Sequence, residues 1–161
     1  MLLFAVVSLG LAILLAAPAA AQDRAVMSAP VIRSTAEEIV ISAKFTNFGA
    51  DRHYRIGFGA VEQVPQMTVE LLKDDQPVQV EPTNFTQGNT SGWWQVEAVK
   101  ARGYVLQGAD LPGQEGNLVF RVTLKRSEAE KYAKLYIFVA RNYGGNRWYL
   151  EDGTVIEKSD W

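Results

Sequence analysis

The chain has 161 residues, room for one domain behind a leader and too few for two ordinary ones. It contains 0 Cys, which excludes a disulfide framework, a thiolate metal site and a lipid-bearing cysteine. Its 16 basic and 18 acidic residues are interspersed for a net charge of -2, so no like-charged block suits nucleic acid and no basic amphipathic stretch suits a membrane surface.

The opening "MLLFAVVSLGLAILLAAPAAAQD" carries an apolar run from Leu2 to Leu15, then Pro18 and an A-x-A site at Ala19 and Ala21. This is the anatomy of a secretory signal peptide cut before Gln22, although the first positive residue, Arg24, follows the apolar run instead of preceding it. Retention as an anchor is the alternative, since Leu2 to Ala21 is nearly long enough to span a bilayer. The small-residue end suits a peptidase better. Residues 1–21 are therefore read as a signal peptide, 22–36 as an extended leader with an edge strand near Val31, and 37–161 as the folded domain. A secreted or periplasmic location is expected, with no membrane insertion after cleavage.

Period-two alternation then dominates. In "EIVISAKFTNFG", Ile39, Ile41, Ala43 and Phe45 share one face, as a half-buried strand requires. A turn over 49–52 leads into "YRIGFGAVE", where Gly57 and Gly59 point to a bulge or a close backbone approach. "QMTVELLKDDQPVQVEP" reads as a hairpin turning at Asp74 and Asp75, with Val78 and Val80 on the return. "TNFTQGNTSG" is rich in turn formers and reads as a loop. "WWQVEAVKA" is expected as a strand, with Trp94, Val96 and Ala98 opposite Trp93, Gln95 and Glu97, and "GYVLQG" as a separate short one.

"LVFRVTLK" is the clearest strand, with Leu118, Phe120, Val122 and Leu124 on one face. "RSEAEKYAK" predicts one helical turn capped by Ser127. "KLYIFVARN" is apolar on both faces, which predicts a central strand covered on both sides. "YGGN" and "EDGT" read as hairpin turns, making "RWYL" and "TVIEK" successive strands with Trp148 and Leu150 toward the core. The sum is an all-β domain, a single antiparallel β-sandwich of about nine short strands.

"YIFVARN" resembles the Y-x-C-x-A-x-N spacing that ends strand F in many immunoglobulin-like domains, with Phe138 in the place of the cysteine and "YGGN" as the hairpin into strand G. The resemblance implies an immunoglobulin-like sandwich. It spans only those residues and lacks both the cysteine pair and a tryptophan in the early strands. An outer-membrane barrel ending on Trp161 does not fit, because Ser159 and Glu157 occupy places where a lipid-facing strand needs apolar side chains.

Catalytic residue types are sparse. His53 is the only histidine, so a histidine-rich zinc site is excluded, and no G-x-S-x-G accompanies it for acyl transfer. "KDDQ" and "LEDGT" each put two carboxylates in a turn but fit no D-x-D-x-D-G calcium loop. No catalytic residue, metal site or cofactor is assigned, and the chain is read as non-enzymatic. The aromatics of the second half are the best functional hint, and Trp93, Tyr143, Tyr149 and Trp161 are the candidate binding residues. Recognition of a protein in the cell envelope or extracellular space is the first expectation. The alternative is carbohydrate or cell-wall polysaccharide, which needs exposed, coplanar rings.

Overall fold

The alternation of Ile39, Ile41, Ala43 and Phe45 places them on one face of a strand and buries all four. In the computed structural model, which describes residues 24–89, 96–111 and 117–161, β3 (Glu38–Thr46) turns these side chains into the core. Its free edge is covered by the leader, as two short strands: β1 (Val26–Met27) pairs with the end of β3 and β2 (Val31–Ser34) with its middle. On the other side lies β9 (Leu118–Lys125), then β5 (Thr68–Lys73) and the two-residue β6 (Gln76–Pro77). Asp74 and Asp75, both at positive φ (50° and 65°), make the β5–β6 turn that Asp tolerates.

A second sheet takes the order β11 (Trp148–Glu157), β10 (Lys134–Asn142), β4 (His53–Ala60), β8 (Ala98–Gln107), β7 (Thr83–Gly88). Every strand pairing in both sheets is antiparallel. The sheets pack face to face, and Phe45, Phe120 and Val122 of the first bury against Ile56, Phe58, Leu135 and Ile137 of the second. The domain is an all-β sandwich.

The second sheet is also rolled. Strands β7 and β11, at opposite ends of its order, come together where Gln87 Nε2 donates to the Trp148 carbonyl at 3.0 Å. Arg55 of β4 lies between them, its guanidinium 4.0 Å from the Trp148 ring centre and 4.8 Å from that of Phe85. Burial alone pushes this arginine's pKa down to about 10. The roll demands a tight β4–β8 ladder: a Cβ on Gly103 would sit 1.9 Å from the Ile56 carbonyl oxygen, and one on Gly59 2.0 Å from that of Lys100. Of the two glycines in "YRIGFGAVE", Gly59 thus marks close backbone approach, whereas a Cβ on Gly57 would meet the Phe85 and Phe138 rings at 2.8 and 2.9 Å. Inside the roll a second apolar cluster forms from Val99, Ala101, Tyr136, Phe138, Ala140 and Leu150. Strand β10 is therefore buried on both faces, with Leu135, Ile137 and Val139 in the main core and the alternate residues in the roll.

Several expectations change. "TNFTQG" is not a loop but strand β7: its turn formers face solvent from an edge, while Phe85 packs on the second cluster and Gln87 is fully buried. "AVKA" and "GYVLQ" are one strand, β8, carried through Gly103. "EDGT" is not a turn, because β11 runs on to Glu157 and a β-bulge absorbs one extra residue opposite the step from Val139 to Ala140. A Cβ on Gly153 would meet the Ile137 carbonyl at 2.8 Å, so this glycine serves strand packing. Trp148 and Leu150 face the second cluster, away from the inter-sheet core. Phe138 does likewise, so it does not take the inter-sheet place that the immunoglobulin-like resemblance implies for a cysteine. The helical turn is α1 (Arg126–Ala129), with Lys125 and not Ser127 at its N-cap. Eleven strands, not nine, are formed among the described residues. The predicted signal peptide (1–21), Trp93 and Trp94 lie outside them.

Candidate binding site

The bulge in β11 decides the chemistry at one end of the sandwich. It lets two consecutive carboxylates meet the leader: Ala25 N–H donates to Glu151 Oε2 at 2.9 Å and Met27 N–H to Asp152 Oδ2 at 2.7 Å. The Arg24 side chain adds a hydrogen bond to the Glu151 carbonyl, and Asn47 Nδ2 donates to the Arg24 carbonyl at 2.8 Å. Ala25 is thereby wholly buried in the main core. The leader ties the edge of the first sheet to the edge strand of the second.

The other oxygen of Glu151 serves the opposite neighbour. Arg141 Nε lies 3.1 Å from Glu151 Oε1, with side chains 14% and 5% exposed, so the pair is largely desolvated. The Tyr143 hydroxyl donates to the same oxygen at 3.5 Å and accepts a hydrogen bond from Arg141 Nη2. The Arg141 guanidinium also stacks 4.4 Å from the Tyr143 ring centre. Beneath it, Tyr54 is held by accepting the Gly49 N–H at 2.8 Å, and its phenol pKa is raised, chiefly by burial. The turn over Gly49–Arg52 is closed by Arg52 N–H on the Gly49 carbonyl and locked by Gly108 N–H on the Arg52 carbonyl (2.6 Å). Arg52 thus projects from a fixed backbone.

These groups line a cleft of about 410 Å³ bounded by Arg24, Arg52, Arg141, Tyr143, Tyr149 and Glu151. A second cleft of about 350 Å³ adjoins it, sharing Arg52, Arg141 and Tyr143 and reaching His53. Both volumes fall within the ~300–1,000 Å³ typical of ligand pockets. The β10–β11 hairpin tip, with Gly144 and Gly145 at φ 102° and 58°, forms the rim.

Of the four candidate residues, the structure brings two together. Tyr143 and Tyr149 are 52% and 38% exposed, with ring centres 4.9 Å apart and planes at 73°. Trp161 is not with them: it follows the far end of β11 and packs, half-buried, against the main core. One strand of β11's length, ~3.3 Å per residue, separates the two places. Trp93 lies outside the described residues. Tyr104, another of the second-half aromatics, is a core residue whose hydroxyl donates to the Val69 carbonyl at 3.0 Å. His53 is exposed at the start of β4.

Sequence reasoning missed Arg24, Arg52, Arg141 and Glu151. They stand far apart in the chain and belong to no local pattern. The glutamate's inward aim depends on a bulge that "LEDGT" disguises as a turn. Among the described residues no group of three or more His, Cys, Asp or Glu is arranged to hold a metal ion. Glu151 and Asp152, one of the two acidic pairs considered for calcium, direct oxygens to the leader's amides. No protein-family model matches the chain, and no curated protein matches it.

Proposed function

We propose that this chain is an exported, non-enzymatic domain that recognises a protein of the cell envelope or the extracellular space, using the sandwich end built by the 143–147 tip, Tyr149 and the Gly49–Arg52 turn. One observation carries the reading: two exposed tyrosines stand against each other at the mouth of an arginine-walled cleft. Tyrosine and arginine are the side chains that most often anchor protein interfaces. The near-perpendicular rings offer no flat platform for a sugar, which favours a protein over a polysaccharide. Export rests on the apolar leader with its small-residue end.

The test is affinity capture from native envelope extract with the tagged domain from Gln22 onward, run beside a Tyr143→Ala/Tyr149→Ala variant. A protein held in stoichiometric amount by the first and lost by the second supports the reading. Retention on cell-wall polysaccharide alone, unchanged in the variant, would overturn it.

A further inference from the structure

We infer that the cleft between Arg52, Arg141 and the two tyrosines is a carboxylate-binding site, taking an acidic group of the partner that lies beside an aromatic or apolar side chain. The inference rests on the proposed protein-binding role of this end and names the chemistry recognised there.

Charge is the first support. The chain as a whole is acidic, at -2, yet this cleft and its rim gather three guanidinium groups against the two carboxylates of Glu151 and Asp51. Those carboxylates differ in what they leave available. Glu151 is buried and engaged by Arg141, the Tyr143 hydroxyl and the Ala25 amide, so it acts on the arginine and presents little charge to the opening. Its effect is to hold Arg141 in one orientation, stacked on Tyr143. Asp51 forms a solvent-exposed ion pair with Arg52 at 3.6 Å, too long for a hydrogen bond and weak enough for a ligand carboxylate to displace. Arg52 is 47% exposed, and its side chain makes no hydrogen bond among the described residues. Arg52 lines both clefts, and the planar fork of a guanidinium is the group that suits bidentate binding of a carboxylate.

Preorganisation is the second support. Arg52 stands on a turn fixed by two backbone–backbone hydrogen bonds, to the Gly49 carbonyl and from the Gly108 amide, and by the Tyr54 hydroxyl that accepts the Gly49 amide. Arg141 is held by Glu151, and Glu151 by the seated leader. Arg141 therefore loses little side-chain freedom when a ligand arrives, and Arg52 is ordered at its backbone if not along its side chain, which lowers the cost of binding at a small site. The edge-to-face tyrosines supply the apolar wall for the ligand's neighbouring group.

The experiment is a titration of the ¹⁵N-labelled protein, followed by amide and arginine Nε–H shifts, with three probes. N-acetyl-L-phenylalanine carries a terminal carboxylate, N-acetyl-aspartyl-phenylalaninamide a side-chain carboxylate, and N-acetyl-phenylalaninamide neither. Saturable shifts at Arg52, Tyr143 and Tyr149 with a millimolar constant are expected for a carboxylate probe, and binding at least about tenfold weaker for the neutral amide. Which acid binds more tightly tells whether a chain terminus or an acidic side chain is recognised. Arg52→Gln and Tyr143→Ala, both at exposed positions and checked for an unchanged amide spectrum away from the cleft, should each weaken binding at least about fivefold. Equal shifts with the neutral probe, shifts scattered elsewhere, or none by about 20 mM would overturn the inference. Failure here with capture still lost in the tyrosine double variant removes the carboxylate chemistry alone. Carboxylate binding without any captured protein removes the partner reading instead.

Discussion

Replacing Glu151 with alanine should destabilise the fold by about 3 kcal/mol. The side chain is 5% exposed and performs two tasks, pairing Arg141 at 3.1 Å and accepting the Ala25 amide at 2.9 Å. Removing one partner of a buried ion pair costs about 3–5 kcal/mol, because the remaining charge stays desolvated. Leaving a buried amide unpaired costs about 1–3 kcal/mol. The two do not add in full. Arg141 is 14% exposed and can swing toward solvent along Tyr143, and the short leader can fray to hydrate Ala25. The lower end of the ion-pair figure is therefore expected, against a total stability of ~5–15 kcal/mol. Urea unfolding measures the loss, and hydrogen exchange locates it, with the Ala25 and Met27 amides losing protection before those of β3. Lys134→Ala is the matched control: its pair with Glu157 spans 3.6 Å with both side chains half exposed, and should be worth about 0.5 kcal/mol or less. A Glu151→Ala loss no larger than the control's, or an unchanged Ala25 amide, would show that the leader is not held through the bulge.

The remaining predictions concern the scaffold. Gly103→Ala should lower stability by at least about 3 kcal/mol, because its Cβ would sit 1.9 Å from a β4 carbonyl; an unchanged Tm would refute the tight β4–β8 ladder. Trp148→Ala should cost about 3 kcal/mol by opening the roll, whereas Arg55→Met, which keeps the packing and relieves a desolvated charge, should cost less than about 1 kcal/mol; calorimetry showing the reverse order would make the cation–π contact dominant. Glu128 is buried, and hydrogen bonds from Lys131, from the Gln66 amide and from Tyr132 hold its carboxyl below the usual range. Its folded pKa is depressed, so its contribution is full above the unfolded value of ~4.3 and is lost as pH falls through the folded value. Glu128→Gln should flatten the acid limb of a stability–pH curve, and a limb of unchanged slope would assign acid sensitivity to other carboxylates.

Much of the fold is written in local alternation. Period two at Ile39 to Phe45 and at Leu118 to Leu124 specifies half-buried strands, and the doubly apolar "KLYIFVARN" specifies a central one, because side-chain direction along a strand is set by the backbone alone. The exposure of Tyr143 at a two-glycine tip followed from the same local rules. What tertiary structure decided is where strand rules meet long-range packing. "TNFTQG" has the composition of a loop, and only its register with β8 and the buried places of Phe85 and Gln87 make it a strand. "LEDGT" has the composition of a turn, and only pairing with β10 turns its extra residue into a bulge. That bulge aims Glu151 at residues 126 positions away in the chain, and so assembles a cleft whose three arginines come from the leader, a turn and a central strand. Composition and periodicity carry no information about such distances, because the contacts are set by how two sheets close on each other and not by neighbours in sequence.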